Sequence, residues 1–282
     1  MTATLLLRLA GPLQGWGDVS RYNHRDTIYR PTKSGVIGLL AAADGHQRDE
    51  VRGPGDDCLP LSTLAALRFG VRADRPGVLI NDFHTAGGGR FPLRTRELIT
   101  DGRRAAAYGD PAEGEVALHG WYGAPKGIGP DADGVLVASN TRRHPVVSFR
   151  EYLSDAAFVA AVESEDEALL RRLADRLDHP RRMLWLGRKH CPPTGQLNGG
   201  VHAGSLESVL GRTAPLPNST SDPVRVWFEV PDDTPAATPV FDQPVSFASR
   251  HRSHAQRWER STEITITDPT ISWEREVEEV ER

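Results

Sequence analysis

The first forty residues constrain the fold of this chain more than any other stretch. The apolar run at 4–10, interrupted only by Arg8, predicts a buried strand. A Gly/Pro-rich loop follows, and Thr32 then marks the start of a helix predicted over 32–43. A helix that begins in this way presents unpaired backbone N–H groups, here beside the Lys33 ammonium, to an anion. The strand, loop and helix therefore predict a phosphate-binding corner.

This corner is not a nucleotide-binding P-loop. That motif needs a glycine directly before the lysine, so that the backbone can wrap the phosphates, and Thr32 stands at that position. Two interpretations remain open from the residues alone. Either Lys33, Ser34 and Gly35 hold a single phosphate, or Thr32 and Ser34 only cap a helix whose apolar side belongs to the core.

Hydrophobic periodicity predicts the order strand, helix, three strands, helix, strand, which contains the split βαβ pattern of a ferredoxin-like domain. After the first strand and helix come strands at 67–73 and 78–84, joined as a hairpin across 74–77, a strand at 156–163, an amphipathic helix at 165–177 and a strand at 183–186. Further strands are predicted at 224–230 and within about 244–267. The fold class expected is α+β.

Charge is distributed unevenly along the chain. The net charge of −4 argues against a nucleic-acid ligand, because affinity for phosphates comes mainly from Lys and Arg. Residues 1–40, however, carry five Arg or Lys against two Asp, and residues 181–190 carry four without any acid. The acidic excess lies in residues 263–282, with seven acids against two Arg. A basic groove is therefore compatible with the acidic total.

Cysteine and histidine usage indicates a chain without disulfides, metal or cofactor. Cys58 and Cys191 are far apart in the sequence, and His251 and His254 lack neighbours at metal-ligand spacing. No run approaches the roughly 20 apolar residues of a membrane span. We expect a cytoplasmic protein with no signal peptide and no membrane partner.

Several aromatic and basic residues are candidates for contact with a single-stranded nucleic acid. Trp16 lies between two glycines, where its indole could stack on a base or close the core beneath its own loop. The triple glycine at 87–89 follows His84 and Thr85 and precedes an arginine-rich segment, which is either a phosphate-gripping arm or a solvated loop.

Six segments resemble, in the same order, the Cas-five-family (RAMP superfamily) subunit of the type I-E CRISPR Cascade complex. They are RLAGPLQGWG at 8–17, PTKSGVIGLLAA at 31–42, DFHT at 82–85, SFREYLSDAAF at 148–158, LGRKHCP at 186–192 and FASR at 247–250. Because these segments extend over most of the chain, the resemblance is more specific than a single short motif.

The resemblance implies an RNA-recognition (RRM-type) ferredoxin-like core with an inserted β-hairpin thumb. Residues 1–84 and 141–200 would form the core, 85–140 the long thumb, and 201–282 a C-terminal β-rich extension with an acidic tail. The subunit would clamp the five-prime handle of the mature crRNA and cap the filament of backbone subunits. Its other partners would be the large subunit, further Cascade proteins and target DNA near the guide duplex.

The residues expected to bind RNA follow from the basic segments and from the resemblance. They are Gln14, Trp16, Arg21, Arg25, Arg30, Lys33, Ser34, Gly35, His84, Thr85, Arg90, Arg94, Arg96, Arg142, Arg143, Arg150, Arg188 and Lys189. Replacing Lys33 or Arg188 by Ala is expected to weaken handle binding and to reduce its dependence on salt.

No catalytic residue is predicted, and the protein is not expected to be an enzyme. The alternative is a metal-independent endoribonuclease that cuts repeat RNA, as in the type I-C relatives. In that case His84, Tyr152, Lys189 and His190 would activate a ribose 2′-hydroxyl.

Overall fold

The computed structural model describes residues 2–17, 23–49, 57–86, 93–94, 128–130, 135–138, 146–219, 222–248 and 250–273. The chain forms two compact units. The first contains Met1–Ser20, Asp26–Ile80 and Glu151–Arg282, and the second contains Arg21–Arg25 and Asn81–Arg150. In the described part, the fold is mixed α/β with mainly antiparallel sheets and few helices.

The described part of the chain contains fourteen strands and four helices. Their bounds are β1 Ala3–Ala10, β2 Leu13–Gln14, β3 His24–Arg25, α1 Lys33–Asp44, α2 Leu61–Ala65, β4 Arg68–Arg75, β5 Val78–Ala86, β6 Leu93–Arg94, β7 Ile128–Pro130, β8 Val135–Ala138, β9 Val146–Ser154, β10 Ala157–Ser164, α3 Glu167–Asp178, β11 Asn198–Ala203, α4 Leu206–Arg212, β12 Val224–Val230, β13 Thr238–Ser246 and β14 Ser253–Ile264.

A seven-stranded antiparallel sheet organises the first unit. Its strand order is β11-β1-β10-β4-β12-β14-β13. β1 lies between β10 and β11, and its residue Leu7 is opposite Ala160 of β10. β4 lies between β10 and β12, so that Val71 is opposite Ala160 on one side and Trp227 on the other. Strand β11 therefore completes one edge of the sheet, and β12, β14 and β13 extend the other.

Apolar residues of alternating strand positions form a core on each face of this sheet. Leu5, Leu7 and Leu9 of β1 face a cluster that includes helices α1 and α3. Leu6 and Ala10 face the opposite cluster, which includes helix α4. Because both faces are covered, β1 reads as an almost continuous apolar run.

Both long helices begin with a side-chain cap, and the cap of α1 is the predicted Thr32. The Thr32 hydroxyl accepts a hydrogen bond from Gly35 N–H at the start of α1, and the Asp166 carboxylate accepts one from Leu169 N–H at the start of α3. In α3, Leu170, Leu173 and Leu177 are buried on one stripe. The predicted helices at 32–43 and 165–177 are thus confirmed, as are the strands at 4–10 and 156–163.

Two predictions about strands are wrong. β4 and β5 do not form a hairpin, because both edges of β4 are already paired with β10 and β12, and β5 pairs with β9 instead. Residues 183–186 do not form a strand; the strand after α3 is β11. Its sequence Asn-Gly-Gly-Val-His-Ala lacks the β-branched alternation that predicts a strand.

The second unit contains short paired strands. β3 pairs in parallel with β9, with His24 opposite Phe149 and Arg25 opposite Arg150. The Phe149 ring stacks on His24 at 5.1 Å and meets the Phe83 ring edge-on at 5.4 Å. β8 pairs with β6 and β7. Most of the predicted thumb at 85–140 lies outside the described residues.

No helix in the described part of the chain is long and apolar enough to cross a membrane.

Candidate nucleic-acid interface

The predicted phosphate corner is occupied by the protein's own side chains. At the first turn of α1, Lys33 N–H donates to Asp242 Oδ2 at 2.7 Å, while Gly35 N–H donates to the Thr32 hydroxyl at 3.0 Å. Asp242 lies on β13, 209 residues further along the chain. The Lys33 and Gly35 backbone donors, which would help to hold a phosphate, are therefore already satisfied by a carboxylate and a cap.

Lys33 itself is buried, with only 1% of its surface exposed. Its ammonium donates to both carboxylate oxygens of Glu229 on β12, at 2.9 and 2.8 Å. Burial lowers the pKa of Lys33, and the Glu229 carboxylate offsets this only in part. The prediction that Lys33 contacts RNA directly is corrected, because its charge is neutralised inside the protein.

Arg30 belongs to the same buried network. Its guanidinium pairs with Glu259 and lies 5.4 Å from the centre of the Trp227 ring. Arg257 completes the network through Asp242 and Glu259, each at 3.0 Å from its Nη2. We name these six residues the paired cluster: Arg30, Lys33, Arg257, Glu229, Asp242 and Glu259. Its three cations and three carboxylates balance, and the prediction that Arg30 contacts RNA is corrected for the same reason.

Gln14 and Trp16 are core residues. Trp16 is 1% exposed, and its indole N–H donates to Gln14 Oε1 at 2.9 Å. The Gln14 amide in turn donates to the carbonyls of Leu9 and Ala156, at 3.0 and 2.8 Å. Of the two interpretations of Trp16, the structure supports closure of the core and not base stacking. Gly35 permits this packing, because a Cβ there would lie 2.8 Å from the Trp16 ring.

The loop at 186–189 packs against the loop of Trp16. Gly15 N–H donates to the Leu186 carbonyl at 3.1 Å. Gly187 has φ of 82°, and a Cβ there would lie 1.9 Å from the Gly15 carbonyl oxygen. Only glycine fits such a close approach in a left-handed conformation.

Arg188 holds this region together through backbone contacts. Its guanidinium donates to the carbonyls of Glu151 and Asp26, each at 2.8 Å, and lies 4.8 Å from the centre of the Tyr152 ring. The side chain therefore fixes two chain segments to each other. Its neighbour Lys189 is exposed.

A concave site of about 400 Å³ opens beside α1 and carries a concentrated positive charge. We name it the cationic cavity and define it by Arg48, Arg182, Lys189, Arg252 and His46, with the aromatic rings of Trp185 and Phe247 and the α1 residues Ser34, Gly35, Gly38 and Ala42 also in its lining. No Asp or Glu is among the described residues that line it. Of the predicted RNA-binding residues, Ser34, Gly35 and Lys189 lie here.

Two arginines of the cationic cavity repel each other. Burial, followed by the nearby Arg48 guanidinium, lowers the pKa of Arg252. Cations that are drawn together without a carboxylate favour an anionic ligand, because only such a ligand offsets their repulsion. The aromatic rings beside them provide surfaces on which a base can stack. Four cationic side chains and two rings are a combination that suits a single-stranded nucleic acid.

Sequence reasoning missed most of the cationic cavity. His46, Arg48, Trp185, Phe247 and Arg252 come from three separate stretches of the chain, and none belongs to a motif with chemical meaning of its own. The only signals were the acid-free basic run at 181–190 and the FASR segment, which contains Phe247.

The remaining predicted residues belong to the second unit or lie outside the description. His84 lies next to the Asp82 carboxylate, Thr85 is exposed, and Arg25 is the strand partner of Arg150. Arg94 is on β6, although its side chain is outside the description. Arg21, Arg90, Arg96, Arg142 and Arg143 also lie outside the described residues.

A second group, whose side chains could act as acid or base, lies near Arg188. The Tyr152 hydroxyl is 2.5 Å from His190 Nε2, and the two rings meet edge-on at 5.2 Å. In the described part of the chain, no three His, Cys, Asp or Glu side chains come together as ligands of a metal ion would.

Comparison with known proteins gives consistent matches. Residues 4–260 match the family model described as CRISPR-associated protein (Cas_Cas5). The chain is 30% identical over 254 residues to the "CRISPR system Cascade subunit CasD" of Escherichia coli strain K12, covering 89% of this chain and 94% of that protein.

Two solved structures are similar in fold as well as in sequence. A chain of a "CRISPR RNA-guided surveillance complex" has a TM-score of 0.64 and 30% identity, covering 95% of this chain and 92% of that one. The structure titled "Crystal structure of Cas protein" has a TM-score of 0.60 and 30% identity, covering 93% of this chain and 95% of that one.

Proposed function

We propose, since this chain belongs to the CRISPR-associated protein (Cas_Cas5) family, that it is a non-catalytic RNA-binding subunit of a type I-E Cascade surveillance complex. The relative from Escherichia coli is a Cascade subunit, and one similar structure is an RNA-guided surveillance complex. The ligand proposed is the crRNA of that complex. The partners proposed are the backbone subunits, the large subunit and other Cascade proteins.

The core of the first unit is proposed to be a ferredoxin-like, RRM-type domain. The strand order β11-β1-β10-β4, with α1 and α3 packed on one face, supports this proposal, since it reproduces the split βαβ arrangement. The inserted thumb proposed for 85–140 rests on the family resemblance.

The cationic cavity is the observation that carries the RNA-binding function. Its cations lack carboxylate partners among the lining residues, whereas the cations of the paired cluster are neutralised internally. We assign the five-prime handle to this cavity, since a kinked single strand can place a base against a ring and its phosphates against the arginines. A subunit that clamps the five-prime handle would lie at the end of the filament of backbone subunits and would cap it.

Binding of the host's own handle RNA to the full-length protein tests this proposal. Fluorescence anisotropy over a salt series should compare the wild type with the double variant Arg48→Ala/Arg252→Ala. We expect about tenfold weaker binding, and a slope of log affinity against log salt that is less steep by about 0.7 per lost phosphate contact.

The matched control is Arg171→Ala/Arg225→Ala, which also removes two arginines. Both of these arginines are exposed and paired with Glu167 and Glu263. If this control lost as much affinity as the cavity variant, the assignment of the handle to the cationic cavity would be wrong.

A metal-independent endoribonuclease is the second candidate function, and the Tyr152–His190 contact favours it. In that reaction one of these groups would take the proton of a ribose 2′-hydroxyl, whose oxygen attacks the adjacent phosphorus while the 5′-oxygen leaves. Incubation with repeat RNA decides between the two functions. The binding subunit predicts intact RNA, and the nuclease predicts cleavage that a single 2′-deoxy nucleotide at the cut site abolishes.

A further inference from the structure

Two arginines in one row across the seven-stranded sheet have opposite environments. Arg8 of β1 lies opposite Val159 of β10, and Val159 lies opposite Arg72 of β4. Residues directly opposite one another point to the same face of a sheet, so both guanidinium groups extend from the face that carries α4. Because the two arginines share this position, the partners of the Arg72 guanidinium can be compared directly with those of Arg8.

Arg72 is completely paired. Its guanidinium donates to both oxygens of Asp74, at 2.6 and 2.8 Å. The remaining donors bind the carbonyls of Leu210, Thr213 and Ala214 at the end of α4. A buried arginine in this protein is thus supplied with a carboxylate and with backbone acceptors.

Arg8 has none of these partners among the described residues. Its Nε is shielded from solvent and makes no hydrogen bond. The Leu197 carbonyl accepts a hydrogen bond from its backbone N–H at 2.8 Å, so the shielded Nε remains a donor without an acceptor among the described residues. A shielded donor of a charged group without an acceptor is costly, and a ligand that brings an acceptor would remove this cost.

Arg8 lines a cavity of about 380 Å³ that also contains Arg75, Asp155, Thr194 and Asn218. Arg75 is neutralised there, since its Nη2 lies 2.9 Å from Asp155 Oδ1. Arg8 is therefore the one uncompensated charge among the described lining residues. Asp155 and Asn218 have φ of 55° and 59°, a left-handed conformation that is uncommon for residues other than glycine and recurs at binding sites.

We propose that this Arg8 cavity binds a carboxylate side chain of a partner polypeptide. The planar guanidinium fork matches the two oxygens of a carboxylate, as it does at Arg72 and Asp74. The apolar lining residues, among them Pro12, Leu216 and Pro217, suit the methylene groups of a Glu or Asp side chain. An RNA strand needs several free cations, and this cavity offers a single one.

Thermal unfolding of the full-length protein with a minimal probe tests the proposal. The probe is N-acetyl-glutamate amide, compared at equal ionic strength with neutral N-acetyl-glutamine amide. At tenfold above its Kd the carboxylate probe should raise the Tm of the wild type by about 3 °C. Arg8→Met should remove this shift, while the control Arg225→Met, at an exposed position, should keep it.

Each other outcome overturns the proposal. Equal shifts for both probes, or an equal shift in Arg8→Met, would show that Arg8 does not bind the carboxylate. A loss of handle-RNA affinity in Arg8→Met, with a less steep salt slope, would instead assign the cavity to nucleic acid. This result is independent of the RNA-binding test at Arg48 and Arg252.

A second variant covers the case in which Arg8→Met does not fold. Arg8→Lys retains the charge, and a water-soluble carbodiimide can couple the probe's carboxylate to the introduced amine. Mass spectrometry should locate the coupled probe at position 8 at a lower probe concentration than at the exposed Lys189. Coupling at position 8 that is no better than at Lys189 contradicts the proposal.

Discussion

The paired cluster and the cationic cavity both adjoin helix α1, but carboxylates neutralise the cations only in the paired cluster. In the paired cluster, Glu229, Asp242 and Glu259 come from three different strands and neutralise three cations. In the cationic cavity, four cations meet without an acid among the described lining residues. Carboxylates that are distant in sequence thus decide whether a basic residue stabilises the fold or remains available for a ligand.

The largest expected effect comes from breaking the paired cluster. Glu229→Gln leaves the Lys33 ammonium buried without its carboxylate, so the free energy of unfolding should fall by about 3 kcal/mol. Urea unfolding measures this loss. Glu263→Gln, which breaks the exposed pair with Arg225, should change stability by less than about 0.5 kcal/mol. Similar losses in the two variants would show that burial does not distinguish these pairs.

An added carboxylate should make the cationic cavity resemble the paired cluster. Ala42 of α1 lines the cavity, and Ala42→Glu would neutralise part of its charge. We expect handle RNA to bind about tenfold more weakly, because a carboxylate repels phosphates and pairs with the arginines. Ala42→Gln has the same size without the charge and should stay within about twofold of the wild type. Anisotropy titrations measure both, and equal affinities for the two variants would remove the cavity from the interface.

A further prediction concerns Arg188, a cation that is paired with backbone carbonyls and not with carboxylates. Because its guanidinium binds the Asp26 and Glu151 carbonyls, Arg188→Ala should lower the free energy of unfolding by about 1–2 kcal/mol. The salt slope of RNA binding should stay unchanged, in contrast to Arg48→Ala. This replaces the expectation from sequence that both affinity and slope fall. Unchanged stability together with a less steep slope would show that Arg188 binds phosphate directly.

Local sequence patterns predicted the elements but not their partners. The apolar run of β1, the cap of α1 and the leucine stripe of α3 are local properties, and they identified these elements correctly. The partner of β5 depended on the occupancy of both edges of β4, which is a tertiary property. β11 was missed because its two glycines hide the strand pattern.

The site was harder to predict for the same physical reason. Lys33 and Arg30 read as ligand-binding cations because Glu229 and Glu259 lie roughly 200 residues away in sequence. Trp16 stayed open between base stacking and core closure, because nothing local shows that Gln14 will accept its indole hydrogen bond. Arg48 and Arg252 could not be identified as a site from the sequence, because only the fold brings them together.

The pairing of Lys33 with Glu229 also bears on how the protein is made. The two residues are 196 positions apart, and β4 gains its second neighbour only from β12. A ribosome therefore releases the helix α1 region long before the strands that neutralise and cover it exist. Such non-local topology slows folding and exposes unpaired strand edges during synthesis. We expect chains cut before residue 224 to aggregate in a cell, even though they retain every residue of the N-terminal corner.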